Sequence, residues 1–417
     1  MTLKDSIALP QGADQNQQDA WEHFQRLGFP TTKNEEWKFT NVNALLETVF
    51  SQSQEHSIQE KDISNASIKG LDAHEIVVIN GVLQGVSSSN AGYSISSLSE
   101  AILKQPEIVS KHYNKGSKNE AEAFTALSTA IAADGIFLHV TKGHSVVKPI
   151  HVKFFFDAQN ENAVSFPRNL IVAEENSEVN IIVSYHTIGD HQSLANDVTE
   201  IVVGEYARVE HFKLQIDTNN ASHIGTTQVS QAANSLFKSH VISLTGKLIR
   251  NNTNIELNGE RIESHMNGLY MLKGDTHVDN HTIADHKFPN CESHELYIGV
   301  LDDKSRGVFN GKIFVRQDAQ KTNAFQSNRN LLISDDAKVN TKPQLEIWAD
   351  DVSCSHGCTT GQLDEEALFY LRARGIGKVK ARALLLRAFA GEVIEKIKIE
   401  ALRTYLEDLI VERLDQN

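Results

Sequence analysis

Asn169-Leu170-Ile171-Val172-Ala173-Glu174-Glu175-Asn176-Ser177-Glu178-Val179-Asn180 decides the fold, because its pattern returns. Asn330-Leu331-Leu332-Ile333-Ser334-Asp335-Asp336-Ala337-Lys338-Val339-Asn340 echoes it, and Ile201-Val202-Val203-Gly204-Glu205-Tyr206-Ala207-Arg208-Val209-Glu210 is a looser copy. Each copy is an apolar strand, an acidic or glycine turn, a small residue, and then valine opening the next strand. Recurrence of one such unit marks a solenoid, in which every rung buries its apolar face against the next and the acidic turns decorate the outside. Working outward, short β-branched runs with period-two alternation extend from Ile136–Val140 through Ile150–Phe156, Thr199–Gln215, Ser239–Leu248 and Asn254–Leu257 to Trp348. The expectation is a mainly β chain with helical ends, its centre a β-helix. A sandwich of hairpins is the rival, kept open by Asn258-Gly259, Asn267-Gly268 and Asn310-Gly311.

The flanks read as helical. Trp21, Phe24 and Leu27 recur on one face before Gly28 and Pro30, and a second amphipathic piece is expected from Glu35 to Leu46. A Gln/Ser-rich stretch, Ser51 to Ser67, reads as a surface connection. Beyond it, the pattern predicts a short strand near Ile76–Ile79 and helices around Ile102–Tyr113 and Ala121–Ala133. At the other end Asp364 caps a helix whose first turn holds Glu365 and Glu366, Gly375 and Gly377 break it, a second helix starts near Lys378, and a third runs from Glu392 through Ile410. The division expected is residues 1–135, helical and mixed; 136–358, the β-helix; and 359–417, a helical segment that docks a partner.

Composition narrows the function. The chain has 417 residues and a formal net charge of -14, a field that repels nucleic-acid phosphates. Met1 to Gln25 lacks a basic start followed by an apolar run, and no stretch approaches the roughly 18 apolar residues of a membrane span. The expectation is a cytoplasmic, soluble chain with no nucleic-acid or membrane partner. Its three cysteines, Cys291, Cys354 and Cys358, are too few to staple it with disulfides.

Chemistry concentrates in Asp350-Asp351-Val352-Ser353-Cys354-Ser355-His356-Gly357-Cys358. If this segment is extended, Cys354, His356 and Cys358 project from one face. Two thiolates and an imidazole suit iron, zinc or copper(I), although a closed site needs a further ligand from elsewhere. The plainer alternative is that Cys354 is a small buried hydrophobe and His356 bonds a turn carbonyl. His265, His277, His281, His286 and His294 surround Cys291; on a solenoid such residues can stack, but solvated histidines explain them more simply and no site is assigned there. Arg374-Gly375-Ile376-Gly377-Lys378-Val379-Lys380-Ala381-Arg382 resembles the glycine hairpin of a DNA-gripping helix–hairpin–helix, and a basic docking surface for an acidic protein fits the overall charge better. Asp302-Asp303 and Asp335-Asp336 would be the paired carboxylates of a carbohydrate-active β-helix enzyme, if they were not simply charged turns. No phosphate-loop, nucleophile-elbow or metalloprotease motif occurs.

Several runs carry a resemblance. Ser305-Arg306-Gly307-Val308-Phe309-Asn310-Gly311-Lys312-Ile313, Gln317 to Ala324, Asn330 to Ser334 and Leu345 through Val352 resemble the core of the SufB/SufD family of iron–sulfur cluster assembly proteins. Cys354-Ser355-His356-Gly357, Gly361 to Leu371, Arg374-Gly375-Ile376 and the early Glu36-Trp37-Lys38-Phe39-Thr40 are similar to its SufD side in particular. The resemblance implies a right-handed parallel β-helix between helical ends. It further implies a non-catalytic scaffold that pairs with a SufB-like subunit through the solenoid and binds a SufC-like ATPase through its C-terminal helices. A homodimer is the other assembly to consider. His356 would then contact iron or a nascent cluster at the pairing interface, with Cys354 beside it, and no cofactor would be held permanently. Cys358 departs from the family pattern, which has alanine there, and either adds a thiolate or is a neutral exchange.

Overall fold

A computed structural model describes residues 2–52, 55–85, 88–89, 92–117 and 119–415. Its centre is a two-sided β-solenoid of about 8 turns. Among the described residues one face is a ten-stranded sheet and the other a twelve-stranded sheet, with the chain alternating between them. Nearly every pairing is parallel and in register; Glu292–Leu301, for example, pairs residue for residue with Asn323–Leu332, which pairs with Ser353–Gly361. A parallel ladder needs a long crossover, and here each crossover is simply the strand of the opposite sheet. The hairpin sandwich is therefore excluded.

The recurring phrase marks corners. Asn169–Asn180 and Ile201–Glu210 turn from the twelve-stranded to the ten-stranded sheet, whereas Asn330–Asn340 turns the other way. One corner chemistry serves both sides because either turn must tuck a small residue inward and leave its acids in water. At the first type of corner one residue per rung adopts a left-handed conformation: Asn176, Tyr206, Asn234, Arg261, Asn290 and Lys321. Asparagine tolerates that conformation best, which accounts for its recurrence.

Inside, Ile181, Ile201, Val229, Ile255, Ala284 and Ile313 belong to one continuous apolar core. It is interrupted by fully satisfied amides: Gln215 Nε2 donates to Asn251 Oδ1 at 2.9 Å, and Asn251 Nδ2 to Asn280 Oδ1 at 3.0 Å. Such a line fixes register, since a slip by one residue turns every amide into the opposite face.

The outer faces are covered by the chain's two ends. The N-terminal helix Gln15–Leu27, closed by an Asp14/Gln17 capping box, packs with Ala123–Ile131 against Val164, Leu194 and Ile224. The C-terminal helices Lys378–Ile394 and Glu400–Asp415 bury Leu386, Ile394 and Leu406 against Phe212, Ile242, Leu269 and Ile298 of the ten-stranded sheet.

Several local expectations need correction. The piece from Glu35 to Leu46 is not one helix: a 3-10 turn, Glu35–Trp37, is followed by Asn43–Leu46. The break arises because Glu36-Trp37-Lys38-Phe39-Thr40 is a clamp onto the solenoid. Glu36 reaches Lys312 (2.6 Å) and His281 (3.3 Å), Trp37 lies 4.0 Å beneath the Arg250 guanidinium, and Thr40 Oγ1 donates to buried Asp279 at 2.5 Å. His281 and Lys312 hold Glu36 down to about 2; burial pushes Asp279 up, but Arg250, His281 and Thr40 outweigh it and keep the carboxylate far below its usual range. Replacing Thr40 by valine keeps the shape and removes one hydrogen bond to a buried charge, so urea denaturation is expected to show a loss of about 2 kcal/mol. Ile102–Tyr113 splits into Leu98–Lys104 and Pro106–His112, Pro106 starting the second. Lys378–Ile394 continues through Glu392, and the last helix starts only at Glu400. The stretch Ser51 to Ser67 contains a helix, Glu60–Asn65, and buries Ile58 against Ile79 and Phe155; residues 53–54 lie outside the described residues.

The two ends of the solenoid differ. At the first, antiparallel strands Val82–Gln84 and Tyr93–Ser97 pair onto His74–Ile79 and Ile136–Val140. At the last, Lys338–Ile347 and Ser353–Gly361 are the outermost strands of their sheets, each nine or ten residues long, and no described strand pairs with their outer edges.

Candidate functional site

Ser353–Gly361 is extended because Ser353 N–H donates to Thr322 carbonyl (2.9 Å) and the strand then runs in register beside Asn323–Leu332. Cys354, His356 and Cys358 lie opposite Ala324, Gln326 and Asn328, all buried and facing the interior. The expected common face is therefore the inner face, at the open mouth of the solenoid. Cys354 is half-buried against the apolar core, and burial pushes its thiol up. Cys358 is exposed, its Sγ 2.8 Å from Thr341 Oγ1 across the mouth. His356 is exposed and has no hydrogen-bond partner among the described residues. Cys291 is elsewhere, buried with its Sγ 3.2 Å from the Gly259 carbonyl.

Alternate residues of a strand are roughly 6.6–6.8 Å apart. Metal–sulfur and metal–nitrogen bonds are about 2.0–2.3 Å. Cys354 and Cys358, two alternations apart, cannot both reach one ion held at His356 without the strand deforming. Accordingly, among the described residues no group of three or more His, Cys, Asp or Glu side chains is disposed to hold a metal ion. What the mouth offers is two thiols and an imidazole spaced along one strand at the outer edge of its sheet.

Beneath the three predicted residues lies a polar layer that local sequence reading missed. Gln326 Nε2 donates to Glu295 Oε2 at 2.7 Å, and Asn328 Nδ2 donates to Tyr270 Oη at 3.1 Å and to the Tyr297 carbonyl at 3.2 Å. Glu295 is buried with no cation against it among the described residues, and burial pushes its carboxyl up to about 7 while Thr282 and Gln326 offset only part of that. Gln326 and Glu295 are 31 residues apart in sequence and Asn328 and Tyr270 are 58, so only an alignment of successive rungs would have paired them.

The raised pKa of Glu295 has a stability consequence. The folded chain keeps a proton there that the unfolded chain releases above its ordinary value of 4.5. That contribution is complete below about pH 4.5 and is lost as pH rises through about 7. Glu295→Gln carries no such charge, so urea denaturation should find it more stable than the parent by roughly 3 kcal/mol at pH 8 and equal to it at pH 4.

The remaining candidates resolve into structure. His265 and His294 stack on the outer face with ring centroids 5.2 Å apart, while His277 and His281 belong to the clamp and His286 points inward to Ser293. Arg374 lies 3.4 Å over the Tyr370 ring, and Arg382 turns back toward Asp302 and the Ile333 carbonyl. Asp302 and Asp303 form a corner, Asp303 accepting the Gly274 N–H at 2.9 Å.

The chain resembles known proteins along nearly its whole length. The SufBD core domain of the SUF iron–sulfur cluster assembly system matches residues 154–389, and the SufBD N-terminal region matches residues 9–152. The chain is 32% identical to SufD of Escherichia coli over 95% of its own length and 92% of the relative's. It is also 32% identical to a SufBD-family assembly protein of Synechocystis, covering 92% and 87% of the two chains. SufD of Bacillus subtilis is 28% identical over 76% of this chain and 73% of its own. A solenoid of stacked rungs, clamped by the Glu36–Thr40 segment and ending in an open mouth lined by Cys354, His356 and Cys358, is here joined to matches along nearly the whole sequence: the chain belongs to the SufBD family of iron–sulfur cluster assembly proteins.

Proposed function

We propose that this chain is a non-catalytic scaffold of a cytoplasmic SUF complex, pairing through the last rung of its solenoid with a SufB-like subunit so that a cluster is built where the two mouths meet. The observation that carries the reading is the unequal treatment of the two ends. The first edge is closed by antiparallel strands, and the last exposes two full-length strands with unused backbone donors and acceptors. Exposed edges of that length are normally blunted or covered, because they pair with other chains. A parallel partner strand would extend each sheet, and Trp348, 52% exposed beside Ile347, supplies apolar surface at the same end.

In this reading iron and sulfide are cargo. His356 supplies a neutral imidazole, and Cys354 and Cys358 supply thiols, each giving up its proton on binding metal. The SufB-like subunit completes the donor set. ATP hydrolysis belongs to a SufC-like subunit docked on the C-terminal helices, where Phe369 is 73% exposed and Tyr370 and Val379 are also largely uncovered. An apolar patch of this kind on a helical surface is characteristic of an interaction site.

The experiment is anaerobic co-expression of the tagged chain with the SufB-like and SufC-like proteins of its own organism, with iron and labile sulfide measured in what is recovered. A three-component complex carrying both elements is expected. Recovery of the chain by itself, or as a homodimer with neither partner, would remove the basis of the reading.

A further inference from the structure

His356, Gln326 and Glu295 occupy one register position on three successive strands, and all three face the interior. Gln326 and Glu295 are 3% and 4% exposed. The Gln326 amide turns its NH2 group down to Glu295 Oε2 (2.7 Å), so its Oε1 is directed away from Glu295, and that oxygen, like Glu295 Oε1, is buried with no hydrogen-bond partner among the described residues. The seat is shaped for this side chain: a Cβ on Gly311 would come within 2.3 Å of Gln326 Nε2. Buried acceptors are nearly always satisfied, and a donor placed above Gln326 would satisfy this one. The nearest strand position above Gln326 is His356, whose ring has no partner of its own. Adjacent strands are about 4.8 Å apart, so an imidazole can reach a glutamine carbonyl one strand beneath it.

Resting on the reading of His356 as a cluster contact, we propose that Gln326, held by Glu295, is the positioning residue of His356: Gln326 Oε1 accepts one ring N–H when a partner covers the mouth, fixing the tautomer and aiming the other nitrogen at the incoming iron. Histidine ligands of metals are generally oriented in this way by an acceptor on the far nitrogen. Glu295 acts one step further back. Its carboxyl oxygen Oε2 accepts from the amide and keeps the NH2 turned inward, so the carbonyl is what His356 meets.

The test uses the assembled complex before iron is supplied, with 15N-histidine in this chain only, read by magic-angle-spinning NMR of the sedimented sample; His356→Ala identifies the resonance. The native complex should show one neutral tautomer, Gln326→Met both, and Glu295→Gln one, because a glutamine carbonyl still accepts from Gln326. Cluster yield in Gln326→Met should fall about tenfold to a hundredfold with the complex intact. If Gln326→Met does not fold, Glu295→Met is read instead and should also show both tautomers. A single unchanged tautomer in the variant that folds overturns the proposal. Failure of the underlying reading looks different: cluster yield would be unaffected by His356→Ala, whatever the tautomer does.

Discussion

Replacing Thr360 by proline should leave the chain folded and weaken the proposed pairing with a SufB-like subunit by roughly tenfold to a hundredfold. In a parallel ladder successive residues direct their backbone groups to opposite sides. Ser353 bonds inward to Thr322, so Ser355, Gly357 and Thr359 also face inward, and Cys354, His356, Cys358 and Thr360 turn their N–H groups to the open edge. Proline at 360 therefore removes no bond within the chain, and proline is tolerated on an edge whose N–H faces solvent. In a paired complex the same ring lies where a partner strand must sit. It leaves the partner's carbonyl unsatisfied, at about 1–3 kcal/mol. That weakens association by roughly tenfold to a hundredfold. The dissociation constant from sedimentation velocity, with far-UV circular dichroism as the control for folding, is the measurement. Unchanged affinity would mean that the partner binds another surface.

His356→Ala should do the converse: the three-component complex still forms, and its iron and labile sulfide fall by roughly a hundredfold. The His356 side chain is exposed and has no hydrogen-bond partner among the described residues, so its removal costs little stability. Losing an orienting group around a metal already costs ten- to a hundredfold in metal affinity or activity, and losing a donor itself costs at least as much. If the complex fell apart, the side chain would be part of the pairing surface; if output were unchanged, the cluster would be held without it.

Much of this architecture was legible in the sequence. The recurrence of Asn169–Asn180 gives away the solenoid because every corner must solve the same problem. The alternation of Cys354, His356 and Cys358 correctly places them on one face, because a strand has only two. What could not be read is what lies between rungs. Glu295, Gln326 and Asn328 look like ordinary polar residues of β-strands until stacking sets them beneath His356 and Cys358. The histidines around Cys291 appear as a cluster in sequence, yet one-residue steps send His281 outward to the clamp and His286 inward to Ser293. The Glu36–Thr40 segment has the periodicity of a helix, and its bonds to Asp279, His281 and Lys312, over 200 residues away, pull it into a 3-10 turn.

The central claim is that the last rung of the solenoid is where the partner adds. Backbone hydrogen exchange followed by mass spectrometry, on the chain alone and in its complex with the SufB-like and SufC-like subunits, addresses it directly. The outward amides of Cys354, His356, Cys358 and Thr360 should exchange within the dead time in the free chain and gain strong protection in the complex. If a stable complex forms while those four amides stay unprotected, pairing does not occur at this edge and the account of the site is wrong.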